Sequence, residues 1–211
     1  MENVTDRTSN PFGMRAPCET RCSSATGAVY GYGDANADFH VIGDYPGVHG
    51  CLETGVPFTG SVAGERLQSV LHEVGFADGP YADEPDYENL FTSYRYMCCT
   101  PDGDPPSDAD YDLLERYFDA ELRAINAHVL LPVGERATDR VLWSYTTLSH
   151  KVDGDPGSLH ATERRGRGFM VIPIVDPAEW DDAHRAALVG KLEDVLASDY
   201  RQTKGVATLV G

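Results

Sequence analysis

Residues 39–60 read FHVIGDYPGVHGCLETGVPFTG, and this stretch decides the fold. Its first four residues form an apolar run that predicts a short buried strand, and the Gly-Asp-Tyr-Pro-Gly turn that follows carries one carboxylate, Asp44. A second Gly- and Pro-rich loop at 55–60 leads into residues 63–74, whose apolar spacing predicts a helix. This order places Asp44 at the carboxyl end of a sheet, where open α/β sheets bind their ligands.

The same alternation of strand and helix continues along the chain of 211 residues. We predict strands at 28–32, 39–42, 90–97, 129–133 and 169–175, and helices at 63–74, 107–126, 135–145 and 181–198, the second capped by Ser107. This pattern predicts an α/β fold with three α/β/α layers around a central, mainly parallel sheet. We expect residues 1–17 to form an irregular N-terminal arm and residues 18–211 to form a single domain.

The chain is strongly acidic: 17 lysines and arginines against 34 aspartates and glutamates give a formal net charge of −17. An acidic surface for a partner and the solvated surface of a halophile both fit this composition. Few lysines, many aspartates and abundant small residues favour the halophile. Negative charge opposes non-specific binding to nucleic acids, but less so in molar salt, where the Debye length is about 3 Å.

Targeting signals are not evident in the sequence. No apolar run reaches the roughly 18 residues of a membrane span, and the N-terminus lacks the apolar region of a secretory signal. We therefore expect a cytoplasmic monomer without a membrane partner. In that compartment the five cysteines should be reduced or bound to metal rather than bridged.

The two loops resemble motifs of the uracil-DNA glycosylase superfamily, most closely its iron–sulfur (family 4-like) branch. Residues 43–47 resemble that branch's Gly-Glu-Ala-Pro-Gly-like turn, and residues 55–60 resemble its Gly-x-Pro-Phe-x-Gly loop. The resemblance runs from Cys18 to Leu196. It implies a hydrolase of base excision repair that cleaves the N-glycosidic bond of uracil or another damaged base, with damaged or single-stranded DNA as its partner.

The resemblance also implies roles for individual residues. Asp44 would supply the carboxylate that places water or shields the sugar cation, although the family usually has Glu there. Phe58 would stack on the flipped base, which is typically worth about 1–3 kcal/mol, or it packs in the core. The residues expected to line the base pocket are Gly43, Tyr45, Pro46, Gly47, Phe58 and Arg95.

Two positions depart from the family pattern. Asp176 stands where the family has a His that donates a hydrogen bond to the departing base, so Asp176 could serve as this catalytic donor only when protonated. The family's base-reading Asn aligns with Arg95 or with Tyr94, depending on which of the two adjacent cysteines, Cys98 or Cys99, is matched. Both changes weigh against ordinary uracil excision.

The cysteines resemble an incomplete cluster site. Cys18 and Cys22 resemble the branch's N-terminal pair and Cys99 or Cys98 its third ligand, but residues 111–118 hold no fourth cysteine. We therefore expect no bound cofactor, and a 4Fe–4S cluster only if Cys51 or the doubled cysteines complete the set.

The densest basic cluster is Arg164, Arg165 and Arg167, which lies downstream of His160. It is either a contact for the DNA backbone or a solvated hairpin tip. Two rival functions stay open for the whole chain. One is a catalytically lapsed member that binds nucleotides or nucleic acid, and the other is a redox-sensing module that uses the cysteines.

Overall fold

Strands and helices alternate in the computed structural model, which describes residues 9–18, 27–100, 104–146, 156–166 and 168–201. The strands are β1 (Tyr32–Gly33), β2 (Phe39–Gly43), β3 (Leu90–Tyr94), β4 (Val129–Pro132), β5 (Arg164–Gly166) and β6 (Phe169–Val171). The helices are α1 (Val62–Glu73), α2 (Asp108–Ile125), α3 (Glu135–Tyr145) and α4 (Asp182–Leu196), with short 3₁₀ turns at Pro156–Leu159 and Pro177–Glu179.

The strands form one sheet in the order β1-β3-β2-β4-β6-β5. Its four central strands are parallel, and β1 and β5 pair antiparallel at the two edges. From β2 the chain passes first to β3 on one side and then to β4 on the other, so the connections diverge at β2. Ligands bind at such switch points, beyond the carboxyl ends of the strands.

Helices cover both faces of this sheet, and β2 is therefore buried throughout its length. Phe39 and Val41 join a core cluster with residues of α1 and α4, whereas Ile42 points the other way into a cluster with α2 and α3. Alternate residues of a strand face opposite sides. The predicted three-layer α/β/α fold is therefore confirmed.

Helix starts agree well with the sequence. The Ser107 side chain accepts from the Asp110 amide and the Asp110 side chain caps in return, so the predicted N-cap of α2 is confirmed. Ser61 caps α1 through a single hydrogen bond, which its side chain accepts from the Gly64 amide at 3.0 Å. α3 begins directly after Gly134, whose φ of 82° suits glycine.

The strand predictions needed four corrections. β3 ends at Tyr94 rather than at residue 97. The first strand is Tyr32–Gly33 rather than 28–32, and the last parallel strand ends at Val171, two residues before Pro173, which has no amide to donate to the ladder. β5 was not predicted at all, because its Arg-Arg-Gly sequence lacks the apolar residues typical of a strand.

None of the helices in the described ranges is long and apolar enough to span a bilayer. The described part of the predicted arm, residues 9–17, contains neither helix nor strand. It contacts the first edge of the sheet, where the Asn10 amide donates to the Gly31 carbonyl at 2.9 Å.

Candidate active site

A cavity of about 510 Å³ opens beyond the carboxyl ends of β2, β4 and β6. Each strand is followed by residues that form part of the wall, and these residues are far apart in the sequence. The polar side chains in the wall are Asp44, His49, Glu135, Arg136, Thr138, Asp176, Glu179 and His184. The cavity therefore lies where the switch point of the sheet predicts a ligand.

Asp44 follows the last residue of β2 and is only 8% exposed. The Tyr111 hydroxyl of α2 donates to its Oδ1 at 2.6 Å. Burial raises the pKa of the Asp44 carboxyl, and the Tyr111 hydrogen bond and the charges of Arg136 and Arg95 oppose that rise. Asp44 is thus a largely desolvated carboxylate with a fixed orientation, as a group that places water requires.

Asp176 lies in the opposite wall, at the start of the 3₁₀ turn. Its Oδ1 accepts from the Ala178 amide at 2.8 Å, and its Oδ2 lies 3.5 Å from Nε2 of His49. Burial acts to raise the pKa of Asp176, but contacts with His49 and the Ala178 amide outweigh it and hold the pKa below its ordinary value. A lowered pKa favours the ionised form of Asp176, and its role as a protonated donor to the base stays a prediction.

His49 is the most buried of the polar cavity residues that the sequence reasoning did not assign to the site. The others are Glu135, Arg136, Thr138, Glu179 and His184. His49 follows the Asp44 turn and is 1% exposed, and its ring stacks on Phe58 with 5.3 Å between centroids and 22° between planes. The histidines of the sequence lack the spacing of metal ligands, so nothing in that pattern marked this residue as functional. Its place between Gly47 and Gly50, in a loop that bends back towards the cavity, was the only available hint.

Phe58 lies behind His49 rather than in the cavity wall. It is fully buried, with His49 on one side and the Tyr94 ring 5.4 Å away on the other. Gly43 permits this packing, because a Cβ there would lie 2.6 Å from the Tyr94 ring and 2.9 Å from the Phe58 ring. Core packing is thus what the structure displays for Phe58, and its stacking on a base stays a prediction.

The remaining residues predicted to contact the base form the turn that follows β2. Tyr45, Pro46 and Gly47 continue the turn after Gly43, and the Gly47 amide donates to the Gly50 carbonyl at 2.9 Å. Their contact with a base stays a prediction.

Arg95 lies in a neighbouring cavity of about 270 Å³. Its guanidinium stacks 4.2 Å from the centroid of the Tyr111 ring, and Arg136, Arg140 and Trp143 share the same cavity. Arg136 lines this cavity and the main one, so the two adjoin.

The predicted basic cluster lies on the edge strand β5. Arg165 pairs with Glu163 at 2.5 Å, and Arg164 donates to the Glu163 carbonyl at 3.1 Å. Neither side chain lines the main cavity, and Arg167 lies outside the described residues. A role in DNA contact stays a prediction for all three.

The cysteines do not present a cluster site within the described ranges. Cys18 and Cys98 form a disulfide and Cys99 is also disulfide-bonded, so the expectation that these cysteines are reduced or metal-bound is wrong in this structure. The arm and the loop after β3 bring them close together. Cys22 lies outside the described residues.

The donor set near these cysteines does not fit an iron–sulfur cluster. α2 presents Leu113 and Leu114 to the adjoining cavity, where a fourth thiolate would be needed. Cys51 is buried in the main core, and burial raises the pKa of its thiol to about 11. No group of three metal-ligating side chains occurs in the described ranges.

Comparison with known proteins agrees with this geometry. A family model described as the uracil DNA glycosylase superfamily matches residues 30–189, which include every strand and most of α4. The chain belongs to the uracil-DNA glycosylase superfamily.

Curated relatives carry the names of two types. A Type-5 uracil-DNA glycosylase of Thermus thermophilus is 31% identical over 117 residues, covering 54% of this chain and 53% of the relative. A Type-5 enzyme of Mycobacterium bovis is 29% identical over 187 residues, covering 85% and 66%. A Type-4 enzyme of Archaeoglobus fulgidus is 26% identical over 157 residues, covering 72% and 71%. The matches to the two Type-5 relatives thus span between about half and two thirds of those proteins.

Proposed function

We propose that this protein is a DNA glycosylase that hydrolyses the N-glycosidic bond of uracil or another damaged base. The observation that carries the proposal is the convergence of Asp44, His49 and Asp176 on one cavity at the switch point of a superfamily fold. The names of the relatives support the same reaction.

The reaction breaks the bond between C1′ of the sugar and a ring nitrogen of the base, and the bonding electrons leave with the base. Water then forms a bond from its oxygen to C1′, and its proton passes to the Asp44 carboxylate and on to the departed base. A flipped base would enter the main cavity. Asp44 is placed to orient the water and to balance the positive charge on the sugar.

The neighbouring cavity offers a surface for the DNA strand. Arg95, Arg136 and Arg140 lie there beside Trp143, which is 59% exposed. Arginines contact phosphates, and an exposed aromatic ring can stack on an unpaired base. This surface adjoins the reaction site, and its lining holds three arginines against two aspartates, Asp108 and Asp139. Arg140 is paired with Glu115 and Asp119, so Arg95 and Arg136 are the candidates for phosphate contact. This surface is therefore a better candidate for strand binding than β5.

A glycosylase assay in molar KCl tests the proposal. DNA containing uracil, hypoxanthine, xanthine or an oxidised base should yield an abasic site with at least one of the four, and Asp44→Asn should remove this activity. Binding of such DNA without release of any base would favour the alternative, a catalytically lapsed nucleic-acid-binding member.

The proposal also covers the branch of the superfamily, the cellular setting, the oligomeric state and the iron content. The relatives include both types, so closeness to the iron–sulfur branch remains our prediction. We also propose a halophilic, cytoplasmic monomer with substoichiometric iron, on the basis of the net charge and the incomplete thiolate set. Stoichiometric iron and sulfide in anaerobically purified protein would overturn the part that concerns the cluster.

A further inference from the structure

His49 is a buried polar side chain without a partner at hydrogen-bonding distance. Among the described residues neither ring nitrogen has a hydrogen-bond partner, although the side chain is only 2% exposed. Buried polar groups are almost always hydrogen-bonded, and each exception calls for an explanation. The ring belongs to the wall of the main cavity, so a ligand there can supply the missing partner.

Its surroundings fix the ring on two sides. Phe58 stacks on its face, and the Asp176 carboxylate lies 3.5 Å from Nε2. The charged and titratable side chains that share the cavity wall are Asp44, Glu135, Arg136, Asp176, Glu179 and His184. Asp176 is the carboxylate that pairs with the ring, and it is itself held by the Ala178 amide at 2.8 Å.

We infer that His49 donates a hydrogen bond to the base oxygen that becomes negative as the N-glycosidic bond breaks, and that Asp176 is the positioning residue that orients His49. This inference rests on the proposed function. It accounts for an aspartate at the position where the family has a histidine donor. The Asp176 carboxylate cannot donate when ionised, but it can orient an imidazole that does.

The chemistry of the pair follows from the properties of imidazole. A carboxylate beside Nε2 keeps a proton on that nitrogen and fixes the direction of the ring. When both nitrogens carry a proton, Nε2 donates to Asp176 and Nδ1 donates to the base oxygen. The bonding electrons from the broken C1′–N bond then spread onto an oxygen that already has a donor, as in an oxyanion hole.

Three substitutions at one residue separate the roles open to His49. His49→Gln retains an N–H donor, His49→Phe retains an aromatic ring that can stack on Phe58, and His49→Ala retains neither. Single-turnover excision by wild type and variants is measured on the best substrate from the panel, across pH. His72→Phe on α1 is the control for the same change outside the cavity, where it removes a 2.8 Å hydrogen bond to the Ala77 carbonyl. Chemical denaturation reports the folding of each variant.

A donating His49 predicts a specific order of rates. His49→Phe and His49→Ala should lose about 10²–10³-fold in rate, as for removal of one oxyanion donor, and His49→Gln should recover part of it. Asp176→Asn should lower the rate when it is made in wild type. It should have no further effect when it is combined with His49→Phe, because the carboxylate acts through the imidazole of His49. Because a glutamine amide donates at every pH, the rate of His49→Gln should vary less with pH than the rate of wild type.

Other outcomes overturn the inference. If His49→Phe equals wild type, the ring only stacks, and if His49→Ala is faster, the ring blocks the base pocket. In both cases the wild type is active and the proposed function survives. A folded wild type that is inert on every substrate of the panel would overturn the proposed function and this inference together.

Discussion

Two polar clusters begin on the same strand and differ in their access to the cavity. Asp44, just beyond the end of β2, belongs to the open cluster with His49 and Asp176. His40, four residues earlier, lies beneath α2 in a sealed cluster with Ser93 and Glu121, each no more than 1% exposed. His40 Nε2 lies 2.8 Å from Ser93 Oγ, whereas neither carboxyl oxygen of Glu121 has a hydrogen-bond partner among the described residues.

The sealed cluster contains the residue types of a catalytic triad, and its ionisable groups are shifted strongly. Burial lowers the pKa of His40 to about 3 and raises the pKa of Glu121 to about 7, with nearby Ser93 and Gly31 opposing the latter shift. A substrate cannot reach these groups in the described structure. Strongly shifted pKa values therefore do not mark the site by themselves, and position relative to the end of β2 is the better guide.

Asp44→Asn should give the largest effect. We expect the rate of base release to fall about a thousandfold, because a positioned carboxylate typically contributes 10²–10⁴-fold. The free energy of unfolding should be unchanged or higher, since burial disfavours the ionised carboxyl. Single-turnover assays and urea denaturation measure the two quantities. A variant that retains more than a tenth of the wild-type rate would remove Asp44 from the reaction.

Glu121→Gln should change stability and leave the reaction intact. The pKa of Glu121 in the folded state, about 7, lies above the ordinary glutamate pKa of 4.5, so the folded state holds the proton more tightly. Wild type should therefore lose roughly 3 kcal/mol of stability as pH rises from about 4.5 through 7. The lowered pKa of His40 makes stability rise with pH over the same range, which opposes the effect of Glu121. The free energies of unfolding of wild type and Glu121→Gln are therefore compared by subtraction at each pH. The difference should grow with pH, and a constant difference would contradict the assignment.

Ser93→Ala should cost about 1–3 kcal/mol of stability, because it leaves His40 Nε2 buried without its 2.8 Å partner. Base release by the folded variant should match wild type, as the sealed cluster has no contact with substrate. The measurement is urea denaturation, followed by an assay at a temperature where both proteins are folded. Loss of activity with stability intact would show that the two clusters communicate.

Tyr111→Phe should have the smallest effect, and it should depend on pH. Removing the 2.6 Å hydrogen bond raises the pKa of Asp44 further, so less carboxylate is present in mildly acidic buffer. The rate should fall by about tenfold on the acidic side, in keeping with a hydrogen bond to a charged group, and by less as pH rises. A pH–rate profile beside that of Tyr96→Phe, a neighbouring tyrosine, provides the comparison. An equal loss at every pH would indicate a packing role for Tyr111.

Local sequence determined most of the framework. Within the described ranges, apolar runs and their spacing predicted four of the six strands and all four helices, because strand and helix periods are properties of short segments. Turn chemistry located Asp44 beyond the end of β2 and Ser107 at the start of α2. Where the local signal was weak or misleading, at β1, at β5 and around Pro173, the predicted boundaries failed.

Partnerships between distant residues were decided only in the tertiary structure. Tyr111 reaches Asp44 across 67 residues of sequence, and Cys18 pairs with Cys98 across 80. The contact of His49 with Asp176 likewise joins the loop after β2 to the turn after β6. No spacing rule encodes such contacts, because they depend on which strands become neighbours in the sheet. The sequence alone thus determined that a carboxylate stands at the end of a central strand, and the packing of parallel strands decided which side chains face it.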